Sequence, residues 1–152
     1  MIRVGSMRWG GLPGFVQASK HGLKSLRIVL SRKCGFGEEA LDTKLDSDLL
    51  ATLAYTPDLK TLQVVESVSG SRILTKELFE GILRDGLVPN LRHLELVWSP
   101  SHAMPEDSLL EMLTRKAGLE SAVLGVREGG DVSKGVREFM KQGSNGLRAT
   151  LW

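Results

Sequence analysis

The feature that most constrains this chain is a short leucine pattern that recurs along its length. The clearest copy is Leu91-x-x-Leu94-x-Leu96. The leucines that open the five copies are Leu23, Leu59, Leu91, Leu119 and Leu147. They are 36, 32, 28 and 28 residues apart. Because self-similarity at a nearly fixed spacing of this size is typical of solenoids and repeat arrays, we expect a stack of similar units.

Each copy of the pattern predicts a β-strand with one buried face. In the clearest copy, Leu94 and Leu96 share one side of an extended chain, and His93, Glu95 and Val97 share the other. We expect the two leucines to lie in a core and the other side to face solvent. The outward positions predicted in this way are Ser25, Arg27 and Val29; Thr61, Gln63 and Val65; His93, Glu95 and Val97; Ser121 and Val123.

A helix is predicted before each strand. Apolar stripes and capping residues place helices at 13–21, 47–53, 75–83, 105–113 and 131–142. Asp46 or Ser47 is the expected N-cap of the second helix, and Thr75 that of the third. Because a helix separates consecutive strands, neighbouring strands are expected to be parallel.

Two α/β architectures contain helices and parallel strands in this order. A doubly wound sheet is buried on both faces and needs nearly continuous apolar strands, whereas these strands alternate. The alternation therefore favours helices on one face only, in a solenoid with strands on the concave face and helices on the convex face. We expect about five repeats in a single domain, 1–152, with an irregular segment at 1–11 and repeats from about 12 to 152.

The composition indicates the class of protein and the compartment in which it is expected. With 41% hydrophobic and 25% charged residues among 152, the chain matches an ordinary globular domain. No apolar run approaches the roughly eighteen residues of a membrane helix, and the N-terminus lacks the apolar region of a signal peptide. Cys34 is the single cysteine and cannot form an internal disulfide. We therefore predict a cytoplasmic or nuclear location and no membrane partner.

Charge is unevenly distributed although the net charge is only +2. Residues 1–37 contain seven basic side chains and no acidic one, and residues 38–66 are predominantly acidic. A basic first repeat can attract an acidic protein segment, or phosphates weakly. The simpler interpretation is a solvated surface, and since no aromatic residues interleave with the basic ones, nucleic-acid binding is not predicted.

The leucine pattern also resembles a known family. Leu91-x-x-Leu94-x-Leu96 with its helix is similar to a leucine-rich repeat of the ribonuclease-inhibitor type, whose repeat is about 28 residues long. The junctions Thr56-Pro-Asp-Leu-Lys-Thr-Leu62 and Val88-Pro-Asn-Leu-Arg-His-Leu94 resemble the C-terminal repeats of fungal F-box proteins. This resemblance implies the substrate-recognition part of a ubiquitin-ligase adaptor. The sequence departs from the family in having no ladder asparagine after the strand and no F-box before the repeats.

Few residues form a pattern that indicates catalysis. Cys34 lies beside Lys33, which could lower its pKa, but a nucleophile also needs an oriented base. His21, His93 and His102 lack the spacing of metal ligands, and the glycine pairs lack the spacing of a phosphate loop. The enzyme alternative is a small α/β enzyme with a site at the carboxyl ends of the strands, drawing on Cys34, His102, Glu66 and Glu128.

The sequence favours a non-catalytic protein-interaction module over this enzyme, with no cofactor and no metal. A curved parallel sheet offers a rigid surface on which side chains vary without disturbing the core. The predicted protein-binding residues are Ser25, Arg27, Thr61, Gln63, His93, Glu95, Ser121 and Val123. We also expect self-association through uncapped ends, because the last predicted strand carries Leu151 and Trp152.

Overall fold

The alternation of strands and helices expected from the sequence is present in the computed structural model. The structure describes residues 2–4, 22–29, 45–66, 72–84, 86–101, 103–127, 130–142 and 148–151. Within them, the strands are β1 (Ile2–Val4), β2 (Ser25–Val29), β3 (Thr61–Val65), β4 (His93–Trp98), β5 (Ser121–Val126) and β6 (Arg148–Leu151). The helices are α1 (Leu45–Ala54), α2 (Lys76–Arg84), α3 (Glu106–Arg115) and α4 (Lys134–Gln142).

The six strands form one parallel sheet whose spatial order is the sequence order, β1 to β6. Parallel connections are right-handed almost without exception, so a sheet that always grows in one direction receives all its helices on the same side. The helix contacts agree, since α1 packs against α2, α2 against α3 and α3 against α4. The protein is therefore α/β, with one layer of described helices against one face of a parallel sheet.

The core lies between the sheet and these helices. The inward positions on the four central strands are apolar and at most 2% exposed: Leu26, Ile28, Leu62, Val64, Leu94, Leu96, Ala122 and Leu124. From the helices, Leu49, Leu78 and Leu109 belong to the same cluster. The predicted inward orientation of Leu94 and Leu96 is confirmed. Trp98, the last residue of β4, is 6% exposed and belongs to the same cluster.

Side-chain caps fix where the helices begin. Thr75 Oγ1 accepts the backbone N–H of Leu78 at 3.2 Å, which confirms it as the N-cap of α2. The same hydroxyl donates to Asp46 Oδ2 at 3.2 Å and so links the first turns of α1 and α2. Neither Asp46 nor Ser47 is the N-cap of α1, because both lie inside the helix, which begins at Leu45. In α4, Ser133 Oγ accepts the N–H of Val136 at 3.2 Å, so the helix starts at Lys134 and not at 131.

One backbone junction recurs where the chain enters three successive strands. The carbonyl oxygen of Lys24 accepts the N–H groups of Lys60 and Thr61 at 2.9 and 3.1 Å. Lys60 O accepts in the same way from Arg92 and His93, each at 2.9 Å. Arg92 O then accepts from Glu120 and Ser121 at 2.8 and 3.0 Å. Equivalent sequence positions therefore make equivalent contacts on β3, β4 and β5.

The structure corrects the expected pattern at both ends of the sheet. Residues 1–11 were predicted to be irregular, but Ile2–Val4 is a strand that pairs with β2, Ile2 opposite Leu26. At the other end, Ser121 is opposite Arg148, a step of 27 residues and not the predicted 28. The pattern starting at Leu147 is therefore out of register by one residue. The predicted helix at 13–21 lies outside the described residues.

Candidate functional site

The predicted binding residues lie on the face of the sheet opposite the helices, which we call the open face. Parallel pairing aligns them in rows that run across β2, β3, β4 and β5. The first row is Ser25, Thr61, His93 and Ser121. The second row is Arg27, Gln63, Glu95 and Val123. All eight predicted residues are thus brought together in two adjacent rows.

These rows differ in exposure from the inward side of the same strands. His93 is exposed, and the other seven residues are partly exposed, whereas the alternate positions between them are buried. Neighbouring strands are about 4.8 Å apart, so four residues in register present a nearly continuous strip. The open face therefore presents two strips, polar except at Val123, that are accessible to solvent.

A third outward row behaves differently from the prediction. Val29, Val65 and Val97 were expected to face solvent, and their register does place them in one row on the open face. Val65 is 8% and Val97 only 1% exposed, however, so both are buried. Alternation along a strand determines which face a side chain occupies, but not how much chain lies over that face. On β3 and β4 the accessible part of the open face therefore ends at the second row, whereas Val29 on β2 is partly exposed.

On the β4–β5 half of the open face, polar side chains are paired with each other. His93 Nδ1 and Ser121 Oγ are 2.8 Å apart and hydrogen-bonded. At the amino ends of the same two strands, Arg92 Nη1 is 2.6 Å from Glu120 Oε1, and both side chains are about half exposed, at 54% and 52%. Two cross-strand contacts therefore hold this half in place.

On the β2–β3 half, the basic groups make no such pairs with other described residues. Among the buried side-chain nitrogen and oxygen atoms of the described residues, Arg27 Nε is the one without a hydrogen-bond partner. Lys24 and Lys60 are exposed at the amino ends of β2 and β3. The backbone of Arg3 on β1 is paired with that of Arg27, so β1 continues the sheet beyond β2. This strand was not predicted, because three residues carry too little periodicity.

The residues of the enzyme alternative are not assembled into a described site. Cys34, His102 and Glu128 lie outside the described residues, so their geometry stays untested. Glu66 is 1% exposed, and its Oε1 accepts the backbone N–H groups of Ile73 and Leu74, both at 2.8 Å. This carboxylate ties the end of β3 to the segment before α2, which is a structural role.

The His93–Ser121 pair is the arrangement closest to catalytic chemistry on the open face. A serine–histidine pair works as nucleophile and base when a further group orients the imidazole and donors stabilise the oxyanion. In the described part of the chain, Ser121 is the only hydrogen-bond partner of the His93 ring. The contact therefore has the form of a cross-strand hydrogen bond that orders two side chains.

Within the described ranges, no three histidine, cysteine or acidic side chains are grouped so that they could hold a metal ion. None of the described helices has the length and apolar character needed to cross a bilayer. No protein-family model, curated protein or solved structure matches the chain.

Proposed function

We propose that this protein is a non-catalytic interaction module that binds a protein partner on its open face. The observation that carries the proposal is the pair of polar rows across β2 to β5, in register and accessible. Because a layer of helices holds the strands from behind, these side chains are presented on a rigid surface, and binding costs little ordering entropy. Their chemistry changes from strand to strand, as expected where the partner and not the fold selects the residue.

The finer architecture belongs to the same proposal. The one-sided helix layer, the parallel order β1 to β6 and the recurring junction at Lys24, Lys60 and Arg92 support a leucine-rich-repeat solenoid. In that arrangement the open face is concave and the helices are convex. The resemblance to F-box repeats further predicts that the partner is a substrate of a ubiquitin ligase. The prediction of a ubiquitin-ligase substrate rests on the sequence motifs, and co-purification with ligase components would support it.

Charge-reversal variants test whether the partner binds on the open face. We expect the double variant Arg27→Glu/His93→Glu to release proteins that the wild-type chain retains from an extract of the source cell. Quantitative mass spectrometry of the retained proteins is the measurement. Far-UV circular dichroism should be unchanged, because both side chains lie on the accessible face.

A matched control separates the open face from general charge effects. Lys134 and Lys141 are exposed on α4, in the helix layer. The variant Lys134→Glu/Lys141→Gln changes the net charge by the same amount when His93 is counted as neutral. It should retain the partner. Release by this control and retention by the open-face variant would locate the binding surface on the helices and refute the proposal.

A further inference from the structure

The two outermost strands of the sheet, β1 and β6, each have an outer edge along which no other described strand is paired. All six strands are parallel and follow one another in sequence order. The outer edge of β1 is therefore the side that a preceding strand would occupy, and the outer edge of β6 is the side that a following strand would occupy. Unpaired edges of this kind are places where a strand of another chain can add to a sheet.

The hydrogen bonds between the central strands show which backbone groups lie on these outer edges. The N–H of Thr61, an open-face residue of β3, points back to β2 and donates to Lys24 O at 3.1 Å. The N–H of Glu66, just after β3, points forward to β4 and donates to Val97 O at 2.8 Å. The side to which a residue directs its N–H and C=O alternates along a strand. Residues at the open-face register positions therefore bond to the preceding strand, and the residues between them bond to the following strand.

This alternation assigns the backbone groups on both outer edges. Arg3 on β1 and Thr150 on β6 are in backbone register with the two ends of the second row. The N–H and C=O of Arg3 therefore point away from β2, onto the outer edge of β1. Ala149 and Leu151 flank Thr150, so their N–H and C=O groups point away from β5, onto the outer edge of β6.

The two outer edges match each other in the pattern that the sheet already uses. In a parallel pair, one residue donates to the residue before its register partner and accepts from the residue after it. With β1 of a second copy beside β6 and Arg3 opposite Thr150, the Arg3 N–H donates to Ala149 O and the Leu151 N–H donates to Arg3 O. This is the register that already runs through the second row from β1 to β6. The sheet therefore continues from one copy to the next without a shift.

The helix layer is also less well covered at the β6 end than in its middle. On α2, Phe79 and Ile82 are each 1% exposed. On α4, the apolar stripe contains Phe139 and Met140, which pack against the core and are partly exposed. Because α4 contacts β6, a second copy joined to β6 lies next to this flank and buries more of it. The β6 end therefore offers apolar surface together with backbone hydrogen bonds.

We propose that copies of this chain associate head to tail, with the outer edge of β6 in one copy paired in parallel with the outer edge of β1 in the next. The contact is heterologous, so each end copy keeps one unpaired edge, and assemblies grow unless the rotation between copies closes a ring. The open faces of successive copies then form one surface. This inference goes beyond the proposed function, because it concerns another part of the molecule and a second copy as the partner.

Two proline variants test the pairing, since proline has no N–H to donate. Arg3→Pro removes the donor on the outer edge of β1, and Leu151→Pro removes a donor on that of β6. In sedimentation velocity, the average mass of the wild type should rise with protein concentration. Each variant alone should keep the mass of one chain, because every head-to-tail contact needs both edges. An equal mixture of the two should reach about twice that mass and grow no further, since one intact pair of edges remains.

Arg3→Ala and Leu151→Ala are the matched controls. Both change the side chain and retain the N–H group, so they should associate as the wild type does. Circular dichroism verifies the fold of each variant. In the wild type, amide hydrogen exchange at Arg3 and Leu151 should slow as the concentration rises, whereas exchange at Thr150, whose N–H points to β5, should not change.

Several results would overturn the head-to-tail contact. One is a wild type that keeps the mass of one chain, with unchanged exchange at Arg3 and Leu151, at every concentration. Dimers of Arg3→Pro alone would indicate a symmetric contact between two β6 strands, and dimers of Leu151→Pro alone a symmetric contact between two β1 strands. Alanine controls that dissociate as fully as the proline variants would assign the contact to side chains. The open-face partner takes no part in these measurements, so their failure is separate from a failure of the proposed function.

Discussion

Leu94 and Glu95 are adjacent on β4 and belong to opposite faces of one sheet, and the two faces follow different rules. The row through Leu94 is Leu26, Leu62, Leu94 and Ala122, all apolar and buried. The row through Glu95 contains a cation, an amide, an anion and a valine. Packing against the helices determines the first row, whereas the fold leaves the second row free to vary. The inward face therefore produces the repeat in the sequence, and the outward face carries the side chains of the proposed binding surface.

The strongest test of the difference between the two faces is one substitution on each face of β4. Leu94→Ala should lower the free energy of unfolding by about 2–5 kcal/mol, because it leaves a cavity among side chains that are nearly fully buried. Chemical denaturation measures the loss. Glu95→Ala, one residue further along the strand, is the control and should change stability by about 0.5 kcal/mol or less. Equal effects of the two substitutions would mean that the assignment of faces is wrong.

The same difference explains how much could be predicted from the sequence. The leucine spacing predicted strands β2 to β5, their parallel order and the inward parity, because burial imposes a period of two on each strand. The eight open-face residues followed from the same parity. β1 could not be predicted, since Ile2–Val4 is too short to show a period. The register predicted for β6 was wrong by one residue, because its copy of the motif is degenerate.

The leucine pattern could not predict which surfaces are covered or which contacts their side chains make. Val65 and Val97 have outward parity and are nevertheless buried. The contact between His93 and Ser121 joins residues 28 positions apart, and only the register of β4 and β5 brings them together. The unpaired Nε of Arg27 likewise depends on the packing around a single atom. The burial and the hydrogen bonds of the open face therefore depend on contacts that a periodicity does not encode.

The next largest effect is expected at Glu66, the buried carboxylate that directly follows the carboxyl end of β3. Glu66→Ala removes the acceptor of the Ile73 and Leu74 N–H groups and leaves two buried donors unpaired. We expect a loss of about 2–4 kcal/mol in unfolding free energy. Glu66→Gln retains a side-chain oxygen and should lose less. A catalytic role would instead abolish an activity in both variants with little change in stability.

A smaller effect is expected at the start of α2. Thr75→Ala removes the cap on the Leu78 N–H and the hydrogen bond to Asp46. The cost should be about 1 kcal/mol, measured by thermal or chemical unfolding. Thr75→Ser keeps the hydroxyl and should be close to wild type. If the serine variant lost as much as the alanine variant, packing of the threonine methyl group would be the cause.

The smallest expected effect concerns Lys116, at the end of α3 and remote from both rows. Its Nζ donates to Leu87 O at 2.8 Å, and burial lowers the pKa of this amine below its ordinary value of 10.5. The folded chain therefore releases this proton at lower pH than the unfolded chain does. Between the lowered pKa and 10.5 the unfolded state binds more protons, so the contribution of Lys116 to stability increases as the pH rises through that window.

Comparison with Lys116→Met isolates this contribution, because methionine retains much of the apolar stem and does not titrate. The unfolding free energy of the wild type minus that of Lys116→Met should rise with pH as 10.5 is approached from below. Titration of the other lysines affects both proteins alike and cancels in the difference. Lys116→Arg stays charged throughout and should show no such rise relative to Lys116→Met. A difference that falls with pH would mean that the hydrogen bond to Leu87 favours the charged amine more than burial disfavours it.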